Sequence, residues 1–198
     1  MTMTANLDTN LRRTRFFFLH HGETDWDRDG RVAGRINAPL NGRGLAQARR
    51  AGEILLDAGI RTICTSPQDR ALVTADIVAA HIHAPVVVVD GLKDCCFGPL
   101  DGATGGDWFT AWRHGVTPEG AESAERFQKR GIAAMNAALE RPGPVLVVAH
   151  PAIYQAFMGA AGIAAETDAL PLRAATVPIL HEPPRRRDGF WHAAHLAA

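Results

Sequence analysis

The sequence predicts an α/β fold in which helices cover both faces of a mostly parallel central sheet. Short apolar runs alternate with helical patterns along the 198 residues, and several of these runs are continuous rather than alternating. Continuous β-branched runs are typical of strands that are buried on both faces of a parallel sheet. Strand–helix alternation with right-handed crossovers then produces a three-layer α/β/α sandwich. Residues 14–198 are expected to form a single domain with one sizeable core.

The first half of the chain contains readable strand and helix signals. Asn41 is predicted to cap a helix that Gly59 ends, and Ser66 to cap the next helix, with Pro67 at its first position. Each helix separates two apolar runs, as expected for crossovers between parallel strands. The predicted parallel strands are Arg15–Leu19, Arg61–Thr65, Pro85–Val89 and Pro144–Ala149.

The second half adds two helices and two further strands. A helix is predicted over Ala121–Leu139, before the fourth strand, and another helix follows Pro151. Ala175–His181 and Gly189–His195 are predicted to be two strands, which the Pro183–Asp188 loop joins.

The composition argues against several classes of partner. The chain has 21 basic and 21 acidic residues, so no nucleic-acid or anionic membrane surface is expected. Residues 1–13 are polar, are expected to be disordered and carry no apolar signal segment, and no apolar run could span a bilayer. Three cysteines, two of them adjacent, do not suggest a disulfide framework. These features predict a cytoplasmic location and leave the oligomeric state open.

Histidine, arginine and aspartate side chains follow the ends of the four predicted parallel strands. The first strand ends in His20 and His21, the second leads to Arg70, the third leads to Asp94, and the fourth ends in His150. Ligands of such folds bind at the carboxyl ends of the strands. A neutral imidazole can attack phosphorus, cationic groups can bind the non-bridging oxygens, and an acid can protonate the leaving oxygen. The pattern therefore predicts phosphoryl transfer.

Four sequence blocks carry these residues: LHHGETDWDRDGRVAGRINAPLNGRGLAQA, TSPQDRALVTA, LKDCCFGPLDG and VLVVAHPAI. In this order they resemble the motifs of the histidine phosphatase superfamily, which includes the phosphoglycerate mutases. The likeness covers roughly residues 15–160 and implies the phosphoglycerate mutase-like fold. It implies that His21 is the nucleophile, that Arg70 and His150 hold the phosphoryl oxygens, and that Asp94 donates the proton. It also implies a small phosphorylated substrate, no cofactor and no metal.

Several positions depart from the pattern of that family. His20 stands where the family has arginine, Asp27 where it has an amide, and Ala33 where it has serine or glutamine. Asp94 is shorter than the family's glutamate, and Pro151 replaces a glycine. His20 and Asp27 are predicted to lie in the substrate-binding pocket. We expect a protonated His20 to be a weaker, pH-dependent substitute for arginine, and turnover to be reduced.

A metal site is an alternative interpretation of the same residues. His20, His21, His150 and Asp94 form a plausible ligand set for a metal ion. Arg70 beside them would repel a cation, so the sequence favours phosphate binding over metal binding.

Two further functions remain open beside hydrolysis of a small organic phosphate. The missing arginine favours a non-catalytic protein that keeps the fold and binds an anion or a protein partner. A phosphoglycerate mutase is less favoured, because Arg113 and His114 are the only basic residues in the segment GPLDGATGGDWFTAWRHG. In that segment Trp108, Phe109 and Trp112 could either shape a substrate pocket or pack a short helix onto the sheet.

Overall fold

One mixed sheet forms the centre of the fold in the computed structural model, which describes residues 11–12, 14–162, 177–184 and 191–196. Within these residues the strand order is β3-β2-β4-β1-β5-β6. The strands are β1 (Phe16–His20), β2 (Thr62–Thr65), β3 (Val86–Val88), β4 (Val145–Ala149), β5 (Ile179–Glu182) and β6 (His192–His195). The first four are parallel to one another, and β5 and β6 are antiparallel to their neighbours. The predicted α/β fold with a mostly parallel sheet is confirmed.

Helices lie on both faces of this sheet. They are α1 (Asp25–Arg28), α2 (Gly42–Ile54), α3 (Asp69–Ile82), α4 (Asp107–Arg113), α5 (Ala124–Ala138) and α6 (Pro151–Ala160). Two short 3-10 turns, Asp90–Leu92 and Gly98–Leu100, lie between β3 and α4. No helix of the described residues is both long and apolar enough to cross a membrane.

The three consecutive phenylalanines of β1 join the sheet to both helical layers. Successive side chains of a strand point to opposite faces, so Phe16 and Phe18 pack in one core cluster and Phe17 packs in the other. All three are at most 1% exposed. Burying each ring contributes about 1.5–3 kcal/mol, which explains why this strand lies near the middle of the sheet.

Two helix starts show where the sequence prediction holds and where it is wrong. Asn41 caps α2 as predicted, since its Oδ1 accepts the N–H of Gly44 at 2.8 Å, but α2 ends at Ile54 rather than near Gly59. Ser66 and Pro67 lie before α3, which begins at Asp69. The backbone N–H of Ser66, directly after β2, still donates to the carbonyl of Val148 in β4 at 3.1 Å.

One edge of the sheet and two residues near the N-terminus also differ from the prediction. The run Pro85–Val89 is not buried on both faces, because β3 lies at the edge of the sheet and Val88 is 52% exposed. Leu11 and Arg12, assigned above to the disordered tail, pack against the domain: Leu11 is buried and Arg12 N donates to Asn136 Oδ1 at 2.9 Å. The rest of the predicted tail and most of the predicted Pro183–Asp188 loop lie outside the described residues.

His181 on β5 is a buried imidazole inside an aromatic cluster. Its ring stacks on Phe16 at a centroid distance of 4.8 Å and contacts the rings of Tyr154 and Phe157. Neither ring nitrogen has a hydrogen-bond partner. Burial lowers the pKa of His181 to about 3, with a smaller contribution from His195. The folded state therefore binds fewer protons than the unfolded state, and stability is lost as pH falls from about 6.5 toward 3.

Replacing His181 with phenylalanine is expected to remove this acid-dependent loss of stability. At pH 5 the buried neutral imidazole should lower the unfolding free energy of the wild type by about 2 kcal/mol relative to neutral pH. Urea unfolding of His181→Phe and wild type at both pH values measures the difference. The exposed His114→Phe is the matched control. An equal loss in His181→Phe and wild type would show that His181 is not the titrating group.

Candidate active site

The register of the sheet brings three site residues to one level of its edge. β1 and β4 are parallel neighbours, and the N–H of His21 donates to the carbonyl of Ala149 at 3.1 Å. His21 and His150 therefore lie side by side, with ring centroids 5.2 Å apart. β2 lies on the other side of β4, so Ser66 reaches His150, whose Nε2 is 2.9 Å from Ser66 Oγ.

The hydrogen bonds of His21 define which ring nitrogen carries the lone pair. Its Nδ1 lies 2.9 Å from the carbonyl oxygen of Gly22, which can only accept, so Nδ1 carries the hydrogen. Its Nε2 therefore has a lone pair, and Arg70 Nε–H donates to it at 3.1 Å. The Nε2 of His20 is also 3.1 Å from this atom. Two donors thus converge on the nitrogen that would attack a phosphoryl group.

Close packing behind His21 requires glycine at the next position. A Cβ on Gly22 would lie 2.4 Å from the carbonyl oxygen of Gly44 at the start of α2. The N–H of Gly22 donates to Thr74 Oγ1 of α3 at 2.9 Å. This contact fixes the carbonyl that orients the His21 ring.

Arg70 links most parts of the site through its guanidinium. It lies in the first turn of α3 and is 1% exposed. Besides the bond to His21, Nη1 donates to the carbonyl of Ile36 at 2.9 Å, and Nη2 donates to the carbonyl of Gly34 at 3.1 Å and to Asp94 Oδ2 at 3.3 Å. These bonds use four of the five guanidinium N–H groups, which leaves one Nη1 hydrogen for a ligand.

Asp94 is positioned by its neighbours in sequence and by Gln68. Its backbone N–H donates to Gln68 Oε1 at 2.7 Å, and its Oδ1 accepts the N–H of Cys95 at 2.9 Å. Its Oδ2 lies 3.9 Å from His150 Nδ1, which is too long for a hydrogen bond. His150 Nδ1 is buried without a hydrogen-bond partner, so a polar group that enters between Asp94 and His150 can form a hydrogen bond with this nitrogen.

Burial shifts the protonation of the cluster in a consistent direction. It lowers the pKa of His21 well below its ordinary value, and the charges of His20, Arg70 and His150 lower it further. Burial and the charge of Arg70 likewise lower the pKa of His150. Burial raises the pKa of Asp94, although the Arg70 guanidinium opposes that shift. These shifts favour neutral imidazoles beside a carboxyl group that holds its proton to higher pH than a free aspartate.

Asp27 and Ala33 lie outside this cluster of contacts. The carboxylate of Asp27 belongs to the cap of α1, where its Oδ2 accepts the N–H and the hydroxyl of Thr24 at 2.8 and 2.7 Å. Burial lowers the pKa of Arg70, and the charge of Asp27 is close enough to oppose that shift, as the charge of Asp94 does. The role of Asp27 in substrate binding therefore stays a prediction. Ala33 is buried, with 9% of its surface exposed.

Sequence reasoning missed several residues that hold the site together. Ser66 and Gln68 lie within TSPQDRALVTA, so that block contained a signal for them. Arg130 of α5 donates to the backbone carbonyl of Asp94 at 3.3 Å and is itself held by both carboxylate oxygens of Glu122. These last two residues are distant in sequence from the strand ends, and no local pattern predicts their contact.

The aromatic side chains of α4 form a packed cluster with Phe97. The ring centroids of Trp112, Trp108 and Phe109 lie 5.0, 5.3 and 5.7 Å from that of Phe97, all at steep interplanar angles. Trp112 Nε1 donates to the carbonyl of Glu122 at 2.8 Å. These contacts support the interpretation that the aromatic residues pack α4 onto the domain, and a role in shaping a substrate pocket stays a prediction.

The geometry does not favour a metal ion at this site. Among the residues that the structure describes, no group of three or more histidine, cysteine or acidic side chains is arranged to hold a metal. The guanidinium of Arg70, which donates to both His21 and Asp94, would also repel a cation.

Comparison with known proteins gives the family. The model of the histidine phosphatase superfamily (branch 1) matches residues 16–186. The chain belongs to this superfamily. It is 34% identical over 143 residues to the "Uncharacterized phosphatase PhoE" of Bacillus subtilis, which covers 71% of this chain and 73% of that protein.

Other members of the histidine phosphatase superfamily include named mutases and phosphatases. The chain is 32% identical over 146 residues to a "Probable phosphoglycerate mutase GpmB" of Proteus mirabilis, with 68% of each chain covered. A solved structure of a mycobacterial glucosyl-3-phosphoglycerate phosphatase with VO3 superposes with a TM-score of 0.72 over 90% of this chain and 96% of that one. Its sequence identity of 22% limits that likeness to the fold.

Proposed function

We propose that this member of the superfamily hydrolyses phosphomonoesters of small organic alcohols through a phosphohistidine at His21. The observation that carries the proposal is the lone pair on His21 Nε2, with Arg70 Nε and His20 Nε2 each 3.1 Å away. An incoming phosphate would draw these two donors onto its oxygens and leave the lone pair facing phosphorus.

In the first step His21 Nε2 attacks phosphorus and the bond from phosphorus to the ester oxygen breaks. Protonated Asp94 gives its proton to that oxygen, so the product is a neutral alcohol. Arg70, and His150 through its unpartnered Nδ1, hold the phosphoryl oxygens during the transfer. The hydrogen on His21 Nδ1 keeps its hydrogen bond to the carbonyl oxygen of Gly22, so the ring takes up positive charge without rotating.

In the second step water attacks the phosphohistidine. The Asp94 carboxylate formed in the first step accepts a proton from this water, and the bond between phosphorus and nitrogen breaks. The lone pair returns to His21 Nε2, inorganic phosphate leaves and Asp94 is protonated again. The cycle uses no cofactor.

His20 is proposed to act as a phosphate ligand whose charge depends on pH. Imidazole is charged in mild acid and neutral above about pH 7, whereas the arginine that the family motif has here stays charged throughout. Turnover should therefore fall between mildly acidic and neutral pH more steeply than in a variant with a permanent cation at this position.

The test is hydrolysis of a panel of phosphomonoesters between about pH 5 and 8 by wild type and His20→Arg. Wild type should hydrolyse some esters, with turnover highest in mild acid. His20→Arg should raise kcat/KM near neutral pH by about 10- to 100-fold, because one hydrogen bond to a charged group is restored. His83→Arg, at the far end of α3, is the matched control. Wild-type turnover that is flat or rises toward neutral pH would contradict the role of His20.

A non-catalytic anion-binding protein is the second candidate. It is favoured by the same contacts, since Arg70 and His20 already occupy the lone pair of His21 and a ligand must displace them. Binding of phosphate or vanadate without turnover of any ester, in wild type and in His20→Arg alike, would select this candidate. A mutase is less favoured, because Arg113 and His114 are both exposed at the end of α4.

A further inference from the structure

Arg35 is held on a segment that wraps around the Arg70 guanidinium. The carbonyl groups on either side of it, from Gly34 and Ile36, accept hydrogen bonds from Arg70 at 3.1 and 2.9 Å. Asp101 Oδ2 accepts the backbone N–H of Arg35 at 3.2 Å. Gly34 has a φ of +51°, and a Cβ there would collide with Asp101. The side chain of Arg35 therefore starts at the wall of the candidate site, on backbone that is tied at three points.

The guanidinium of Arg35 has no acceptor that matches its donors. Its Nη2 lies 3.8 Å from Glu122 Oε2, beyond hydrogen-bond distance. Both oxygens of Glu122 already accept hydrogen bonds from Arg130, at 2.9 and 2.8 Å. The Nε of Arg35 is buried and has no hydrogen-bond partner. An unpaired buried donor is unfavourable, so a ligand that supplies an acceptor here would be favoured.

The charge of Arg35 acts on the side of the site where Asp94 lies. It is one of the charges that oppose the effect of burial on the pKa of Asp94, and it also helps to lower the pKa of His150. In the proposed reaction Asp94 protonates the leaving oxygen, so the alcohol part of the substrate lies on this side. The side chain of Arg35 is 31% exposed, so a bound molecule can reach the guanidinium, and contact with the buried Nε requires the side chain to turn.

We propose that Arg35 is a specificity residue that binds an oxyanion carried by the leaving group of the substrate. The inference rests on the proposed phosphatase function, because Asp94 defines the leaving-group side. The planar edge formed by Nε and Nη2 suits a carboxylate or a second phosphate, which accept two parallel hydrogen bonds. The preferred substrates are then phosphomonoesters with at least one further negative charge, and a neutral leaving group leaves Arg35 Nε unpaired.

The test compares esters that differ only in the distal group. kcat/KM is measured for ω-carboxyalkyl phosphates, α,ω-alkanediol bisphosphates and ω-hydroxyalkyl phosphates of equal chain length. Wild type should prefer one anionic series over the hydroxyl esters by about 10- to 100-fold, and Arg35→Gln should bring this ratio close to one. Arg113→Gln, an exposed arginine of α4, should keep the ratio. No preference in wild type, or an equal loss on all esters in Arg35→Gln, would overturn the proposal.

Binding of phosphonate analogues separates this inference from the proposed hydrolysis. In these analogues a methylene replaces the ester oxygen, so calorimetry reports affinity without turnover. Suppose that no ester is hydrolysed, yet wild type binds the anionic phosphonates about tenfold more tightly than the hydroxyl ones and Arg35→Gln does not. The proposed function then fails while Arg35 is established as an oxyanion ligand. Hydrolysis of the esters with equal binding of both phosphonates would refute the role of Arg35 alone.

Discussion

Replacing His21 with alanine is expected to lower kcat for phosphomonoester hydrolysis by about 10⁴-fold or more. The substitution removes the lone pair that Arg70 and His20 now surround, and with it the proposed acceptor of the phosphoryl group. Rapid quenching with alkaline detergent of a reaction with an ester radiolabelled in its phosphoryl group provides a second measurement. Wild type should carry an acid-labile, alkali-stable label, as expected for a phosphohistidine, and His21→Ala should carry none.

A parallel His150→Ala variant distinguishes the two neighbouring imidazoles. His150 is the alternative nucleophile, because its buried Nδ1 has no hydrogen-bond partner. The His150→Ala substitution should slow turnover while the label remains on His21. A label that persists in His21→Ala and disappears in His150→Ala would move the nucleophile to His150. His83→Ala, at the exposed end of α3, controls for the loss of a histidine as such, and thermal unfolding of each variant shows that it is folded.

The convergence of the main site residues could be predicted from the sequence because it follows from sheet geometry. The carboxyl ends of parallel strands meet at one edge, so any residues that follow those strands are brought together. His21 and His150 follow β1 and β4, which are neighbours in the sheet. Arg70 and Asp94 come from the connections after β2 and β3, and their hydrogen bond joins these connections to the same edge.

The rest of the site depends on contacts that local patterns do not encode. Arg130 of α5 donates to the backbone carbonyl of Asp94. The Nε of Arg35 is left without a hydrogen-bond partner while Arg130 donates to the nearby carboxylate of Glu122. Likewise, the sequence SPQD resembles a helix cap, but the N–H of Ser66 pairs with the carbonyl of Val148 in β4, and α3 begins only at Asp69. Tertiary contacts overrode a local preference in that case.

The predicted burial of Pro85–Val89 was wrong for a related reason. A run of valines indicates a strand, but composition alone does not say whether that strand is central or at the edge. The strand order depends on how the crossover helices pack against the sheet. In this order β3 is at the edge and pairs only with β2 among the described strands. Strand identity was therefore predictable here, and position within the sheet was not.

Replacing Asp94 with asparagine is expected to lower kcat/KM in a way that depends on the leaving group. Alkyl phosphates leave as strongly basic alkoxides and need a proton in the transition state, so their hydrolysis should slow by about 10²- to 10⁴-fold. A nitrophenyl phosphate leaves as a stable anion, and its hydrolysis should slow by less than about tenfold. Steady-state kinetics on both ester types with wild type and Asp94→Asn measures this difference.

Asp101→Asn is the matched control for Asp94→Asn. Asp101 is a carboxylate that also accepts backbone N–H groups, from Phe97 at 2.8 Å and from Arg35 at 3.2 Å, but the proposed reaction does not use it. Loss of a hydrogen-bonded carboxylate should then lower the rates for both ester types alike, without dependence on the leaving group. An equal slowing of alkyl and nitrophenyl esters in Asp94→Asn would show that Asp94 supports the structure of the site rather than donating a proton.

The pH profile provides an independent check on Asp94. The group must be protonated to act as an acid, and burial raises its pKa, so alkyl ester hydrolysis should persist to higher pH than a free aspartic acid would allow. Above that pKa, kcat/KM should fall about tenfold per pH unit. His21 must be neutral to attack, and its lowered pKa keeps it neutral well into the acidic range. The decline of kcat/KM toward high pH is measured in His20→Arg, so that a change of charge at residue 20 does not contribute to it. This decline should disappear in the double variant His20→Arg/Asp94→Asn. If the decline is unchanged, a group other than Asp94 supplies the proton.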